Sequence, residues 1–396
     1  MKHLKIKTLM MLLAVVAVMS SSLGVYAAYV PPPQLVPGVD YNVPNYANSP
    51  PLTKFVDSLP GLTAAGINNL GQYIPVAQPM GASTPAGVPT DGDYYEIALV
   101  DYQEKMHTDL QPTTLRGYVQ IYPPGSTVPA TAVALNHLNG TPILYGGQQV
   151  YGYDKPHYLG PTIVANHGTP TRVKFYNLLA TTANGGNLFI PTDVTVMGAG
   201  MGPDGSNYSQ NRATLHLHGG DNPWISDGTA HQWITPAGEA GALLKGASQQ
   251  NVPDMPLPAS GAATFYWPNG LSGRLMFYHD HALGTTRLDV YAGEAAGYLL
   301  VDPSERALNA MVTGGEIPLV IQDKTFVNDG IAPVGFPAGV AAPQATSVVD
   351  PLWASNPAWG QTQGSLWFPH VYMPNQNPND LSGANPFGRW DYGAWF

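Results

Sequence analysis

Cysteine is absent from all 396 residues, so this chain can form no disulfide and can offer no thiolate to a metal or a substrate. Charge is scarce as well, 11% of residues against the ~25% usual in soluble proteins, which argues against long charged helices and coiled coils. Basic residues are outnumbered, 16 Lys and Arg against 26 Asp and Glu, and a net charge of −10 makes nucleic acid a poor partner. Long apolar runs are missing beyond the N-terminus. The run over residues 9–19 is interrupted by Ser20, Ser21 and Ser22 and falls short of the ~20 residues a membrane span needs, so no membrane span is expected.

That N-terminal run has the parts of an export signal: Lys2, Lys5 and Lys7 before it and small residues around Val25-Tyr26-Ala27-Ala28 after it. Residues 1–27 are expected to be a signal peptide, which places the mature chain outside the cell, in the periplasm or at the cell surface. Gly (44) and Pro (39) together make up about a fifth of the chain, a composition suited to many short strands and turns. Residues 28–92 read as an extended arm with one short helix near 62–70. Short apolar or alternating runs then recur at 95–102, 116–122, 131–136, 162–165, 171–177, 193–197, 212–218, 263–267, 274–279 and 297–301. Punctuation such as Pro123-Pro124-Gly125 and Pro268-Asn269-Gly270 separates several of them. The series predicts an all-β sandwich over residues 93–305. Within 171–177 the alternation puts Val173 and Phe175 toward a core and Arg172, Lys174 and Tyr176 toward water. Asp302-Pro303-Ser304-Glu305 marks an interdomain boundary, and the strand signal at 317–323 opens a second domain over 312–396. Five of the eight Trp (Trp353, Trp359, Trp367, Trp390, Trp395) lie in the Pro- and Gly-rich remainder. The second domain is therefore expected to be truncated, with poorly packed Trp that want a covering partner.

Four of the eleven His fall in two triplets, His216-Leu217-His218 and His279-Asp280-His281. On a strand, residues i and i+2 share a face, so each triplet aims two imidazoles the same way. Two adjacent strands so equipped would converge four neutral nitrogen ligands, a set that suits Cu, Zn, Fe or Ni, with copper favoured by affinity. Asp280 alternates with its two His and is expected to point away from the metal, more often toward solvent than into a supporting hydrogen bond. A lactamase-type metallohydrolase wants an Asp-His pair after its triplet, where this chain has Gly219-Gly220-Asp221-Asn222. A cupin wants a Glu a few residues downstream, and an amidohydrolase wants a (β/α)8 barrel for which the helical periodicity is missing. His107, His137, His157, His167 and His370 have no partner at ligand spacing, and His231 suits a surface or structural role.

These residues resemble the multicopper oxidase family, most closely its bacterial spore-coat laccase and bilirubin-oxidase branch. Tyr158-Leu159-Gly160-Pro161-Thr162-Ile163-Val164 with 171–178 is similar to the family's early cupredoxin strands. His216-Leu217-His218-Gly219-Gly220 with Ser226-Asp227-Gly228 resembles its first copper motif and downstream acid, and 277–281 continuing through 286–293 resembles its second. Ile321-Gln322-Asp323 is similar to the start of a second cupredoxin domain. The resemblance implies a cupredoxin-like Greek-key sandwich in which His216 is a type 2 copper ligand and His218, His279 and His281 are type 3 ligands. It implies that Asp227 assists proton delivery, against the plain reading of Ser226-Asp227-Gly228 as a turn.

It further implies an exported laccase-like enzyme, represented here by its N-terminal portion. Such an enzyme couples one-electron oxidation of phenolic, pigment or metal-ion donors to reduction of O2 to water. The family's last motif carries a Cys for the blue type 1 copper, and no third or fourth motif follows Asp323. A C-terminal complement carrying the remaining ligands is therefore expected. The alternative is a non-catalytic copper-binding or structural cupredoxin protein, either degenerate or completed by a partner chain.

Overall fold

A computed structural model describes residues 52–81, 84–190, 192, 194, 196–312, 317–324, 326 and 364–366. The expected signal peptide and the five Trp beyond residue 350 lie outside the described residues. Eight strands build two four-stranded sheets: β1 (Asp93–Glu104), β2 (Thr113–Gln120), β3 (Ile163–Asn166), β4 (Thr171–Asn177), β5 (His216–His218), β6 (Ala262–Trp267), β7 (Arg274–His279) and β8 (Ala295–Val301). The front sheet runs β6-β4-β1-β2 and the back sheet β3-β8-β7-β5. Each sheet holds one parallel pair, β1 with β4 and β8 with β3, and the other pairs are antiparallel. After the β1–β2 hairpin the chain changes sheet at β3, β4, β5, β6 and β7. This is an all-β, cupredoxin-like Greek-key sandwich, the class expected from the sequence.

Alternation along the strands explains the core. Ile97 and Leu99 of β1, Val173 and Phe175 of β4 and Phe265 and Trp267 of β6 face Leu217 of β5, Met276 and Tyr278 of β7 and Tyr298 and Leu300 of β8. Burial of large aromatics dominates here, since each removes some 150–250 Å² from water. No disulfide is available, so apolar burial and hydrogen bonding carry stability.

The expectation of a wet face on β4 is corrected. Arg172 and Tyr176 are buried along with Val173 and Phe175. Residues 121–153 fold over the front sheet and set Val150, Ile143 and Leu135 against Tyr176, Ala98 and Val100. Tyr145 meets Tyr176 edge-on at 4.9 Å between ring centroids. The Tyr176 hydroxyl donates to buried Glu96 (2.8 Å), and Arg172 pairs with Asp91 and Asp254 at 2.6 and 2.7 Å. Local alternation counts polar residues as outward, but Arg172 finds Asp91 and Asp254 as partners and Tyr176 finds Glu96 on β1 beneath the covering layer.

Other segments depart from their sequence signals. The helix expected near 62–70 is a single 3-10 turn, Ala64–Gly66. Residues 194, 196 and 197 belong to no strand. Residues 317–324 carry no strand either, and Ile317 and Ile321 are 73% and 94% exposed. An apolar run becomes a strand only when a ladder partner pairs its backbone, and none does so among the described residues. Two short helices went unread, α1 (Thr286–Ala292) and α2 (Pro303–Asn309); α2 is capped by Asp302, which accepts from the Glu305 N–H. Among the described residues no helix is long and apolar enough to cross a membrane.

Charge is concentrated where the two sheets meet α1. The Arg116 guanidinium is fully buried, 3.3 Å from Asp101, 3.6 Å from Glu294 and 3.7 Å from Asp289, and it donates to the carbonyls of Gly186 and Gln210. Burial raises the pKa of all three acids, and Arg116 opposes that rise. Arg116→Met should therefore leave a buried acidic cluster without its cation and cost about 3–5 kcal/mol of unfolding free energy, measured by urea denaturation.

Candidate metal centre

The centre is made by three register pairs. β5 and β7 run antiparallel with Phe277 opposite His218, Tyr278 opposite Leu217 and His279 opposite His216. Leu217 and Tyr278 turn inward and are essentially unexposed, so the residues on either side of each must turn outward. Three imidazoles and one phenyl ring then tile a single patch of sheet. Phe277 stacks on His218 at 4.7 Å and on His279 at 4.9 Å, and the His216 and His279 ring centroids are 5.3 Å apart.

The ligand atoms of His216, His218 and His279 all lie within 4.8 Å of one another. His281 lies beyond the end of β7, yet its ring centroid is 4.8 Å from that of His216. Its Nδ1 is buried and has no hydrogen-bond partner among the described residues. The structure thus brings all four triplet His together. The donor set fits an imidazole-binding cation: every donor is an imidazole nitrogen, and one buried nitrogen has no partner among the described residues.

Backbone carbonyls set the orientation of two of the rings. His216 Nδ1–H donates to the carbonyl of Asp227, and His279 Nδ1–H donates to the carbonyl of Asp280 at 2.5 Å. Both rings therefore turn the Nε2 lone pair toward the cluster, as supported metal-binding imidazoles do. His218 Nδ1 faces His279 Nε2 at 3.1 Å. The contact at His216 depends on Gly228, whose φ of 65° and whose missing Cβ allow the 219–228 loop to press on the strand. A Cβ there would lie 2.2 Å from the Leu215 carbonyl oxygen.

Burial disfavours positive charge at these rings. Desolvation is the largest cause at His279, whose pKa is lowered to about 4, and neighbouring His rings push it further in the same direction. His216 is lowered for the same first reason. Both rings present lone pairs at neutral pH.

The remaining candidates divide clearly. Asp227 caps the 3-10 turn Trp224–Ser226 by donating its backbone N–H to the Trp224 carbonyl, and its half-buried carboxylate stands 3.5 Å from His216 Nδ1. Asp280 does not reach solvent, which corrects the expectation from alternation. The strand ends at His279, and the following turn rotates the Asp280 side chain into the protein, where it accepts from the N–H groups of Thr214 and Ala282 at 2.8 Å each. His231 is exposed and His157 is buried against Glu104 and Tyr73. His107 pairs with Asp57 and Asp109, and His167 bonds the Leu271 carbonyl. His370 lies outside the described residues. Sequence reading missed Arg116, Arg212, Asp289 and Glu294 behind the centre; the available signal was Asp289 and Glu294 standing within an otherwise apolar stretch that enters β8.

No family model matches the chain. Among curated proteins it is similar to a laccase of Bacillus subtilis (strain 168), 27% identical over 238 residues, covering 60% of this chain and 35% of that protein. It is also similar to a laccase of Haloferax volcanii, 29% identical over 288 residues and covering 72% of this chain and 37% of that one. A bilirubin oxidase of Albifimbria verrucaria is 41% identical over 68 residues, 17% of this chain and 12% of that protein. The chain spans about a third of the length of the two laccases. The resemblance to multicopper oxidases is thus shown by relatives of that kind, and the N-terminal portion fits the partial coverage.

In the metal-free protein the His279 ring should titrate near pH 4 instead of near 6.5, read from its imidazole resonances by NMR. Because its folded pKa lies below the unfolded value, this ring withdraws stability as pH falls from about 6.5 to about 4. A ring titrating at or above 6.5 would contradict the buried geometry.

Proposed function

We propose that this chain is the N-terminal, copper-binding portion of an exported laccase-like multicopper oxidase. One observation carries the reading: three imidazole nitrogens from two paired strands lie within 4.8 Å of one another, with His281 beside them. His216, His218, His279 and His281 would hold the metal, His216 in the type 2 role and the others in the type 3 role. Copper bound there would supply one-electron redox chemistry for oxidising phenolic, pigment or metal-ion donors at the expense of O2.

The chain's own residues do the positioning. The carbonyls of Asp227 and Asp280 hold two rings with Nε2 forward, and Phe277 walls one side of the patch. The Asp227 carboxylate, 3.5 Å from His216 Nδ1 and partly open to water, would assist proton delivery to the centre. Four His supply part of the family's ligand set, so a C-terminal complement would bring the rest together with the blue-copper thiolate. A second reading, a non-catalytic copper-binding cupredoxin, is favoured by the absence of Cys from all 396 residues.

The purified chain should bind Cu(II), and His216→Ala combined with His279→Ala should remove most of the bound metal. The copper-loaded chain should show no intense blue absorption, and its rate of phenol oxidation with O2 should match that of free copper. Unchanged copper stoichiometry in the double variant would remove the proposed ligands. Turnover well above the free-copper control would show that the chain needs no complement.

A further inference from the structure

The β5–β7 ladder has three rungs and stops at His279. No strand pairing therefore fixes His281 against His216, although their rings are neighbours. The side chain that spans this gap is Asp280, fully buried between two metal-facing His. One carboxylate oxygen accepts from the N–H of Thr214, two residues before His216 in the segment that leads into β5, and the other accepts from the N–H of Ala282, the residue after His281. Its own N–H donates to the Glu294 carbonyl at the entry to β8. Its carbonyl accepts from the His279 ring.

The surroundings brace this bridge from behind. The Arg212 guanidinium, fully buried, donates to the carbonyls of Ser209, Gly198 and Leu283, tying the segment that enters β5 to the loop after His281. Gly284 packs so closely on the 197–199 loop that a Cβ would fall 2.5 Å from the Ala199 nitrogen. The turn carrying His281 is thus held on two sides, and the Asp280 carboxylate is its link to the strand carrying His216.

From this geometry we infer that Asp280 is the positioning residue of the metal centre: its carboxylate takes the place of a missing fourth rung and sets the position of His281 against His216. The inference rests on the copper reading proposed above only for the identity of the metal. A carboxylate suits the task because it accepts two N–H bonds at once, and each is strengthened by its charge. An amide can accept at one end only, and its NH2 would face a second N–H donor. Outer groups that orient ligands in this way typically account for roughly 10–100-fold in metal affinity.

The test compares Asp280→Asn and Asp280→Ala with Glu96→Gln in the full chain. Glu96 is an equally buried acid, bonded to the Tyr94 and Tyr176 hydroxyls in the front sheet and to none of the four His, so its variant reports a generic loss of stability. Cu(II) affinity should fall about tenfold in Asp280→Asn and approach a 100-fold loss in Asp280→Ala, while Glu96→Gln keeps the wild-type value. In the metal-free protein, the ring resonances of His216 and His281 should shift or split in both Asp280 variants and stay in place in Glu96→Gln.

The isosteric Asp280→Asn decides the matter if the alanine variant does not fold. Folded Asp280 variants with wild-type copper affinity and wild-type imidazole resonances would overturn the inference, and so would an equal loss in Glu96→Gln. If copper binding proves independent of His216 and His279, the copper reading fails, and the metal-free resonances still decide whether Asp280 sets the geometry.

Discussion

Everything at the centre depends on the register of one short antiparallel pairing, His216 opposite His279. Strand side chains alternate with a period of two, so a slip of one residue would send Leu217 and Tyr278 outward and carry the imidazoles into the core. The core forbids that slip. Tyr278 is packed against Tyr118 and Trp267 and donates to the Pro161 carbonyl, and Leu217 sits in the same cluster. The apolar face therefore dictates where the polar face stands. A three-rung ladder at a sheet edge is weak on its own, and the hydrophobic layer behind it makes the placement of the His exact enough to converge nitrogens.

Electrostatics separates the outer patch from the layer beneath it. At His216 and His279 burial opposes protonation, which favours the neutral, lone-pair-bearing ring. Behind them, Asp280, Asp289, Glu294 and Asp101 are gathered around two buried Arg. Burying so many acids would be costly without Arg116 and the backbone N–H groups that Asp280 bonds. The polar interior is thus organised as a cradle for the turn after β7, while the front sheet is stabilised by aromatic packing and by the Tyr94–Glu96–Tyr176 hydrogen bonds.

The two triplets were legible because period-two alternation is local: two His at i and i+2 share a face in any strand. The all-β class was legible for the same reason, and 171–177 and 274–279 coincide with β4 and β7. Alternation failed where a tertiary neighbour supplied what local pattern could not foresee. Tyr176 read as wet because nothing in its own strand announces that residues 121–153 cover it, and Arg172 because nothing there announces Asp91 and Asp254. Asp280 read as outward because alternation was extended one residue past the end of the strand. The apolar run at 317–323 read as a strand, but its pairing depends on a partner that the run itself does not contain.

By itself the sequence determined which chemistry is available: four imidazoles in two pairs, one acid downstream of the first pair, and no thiolate anywhere. These follow from residue identity and short-range geometry. Only the tertiary structure decided that the two pairs, about sixty residues apart in sequence, face each other across one ladder, and that Asp280 turns inward to bridge the segments carrying them. The physical reason is that register and burial are set by the packing of the two sheets, an interaction among residues far apart in the chain, which no local pattern encodes.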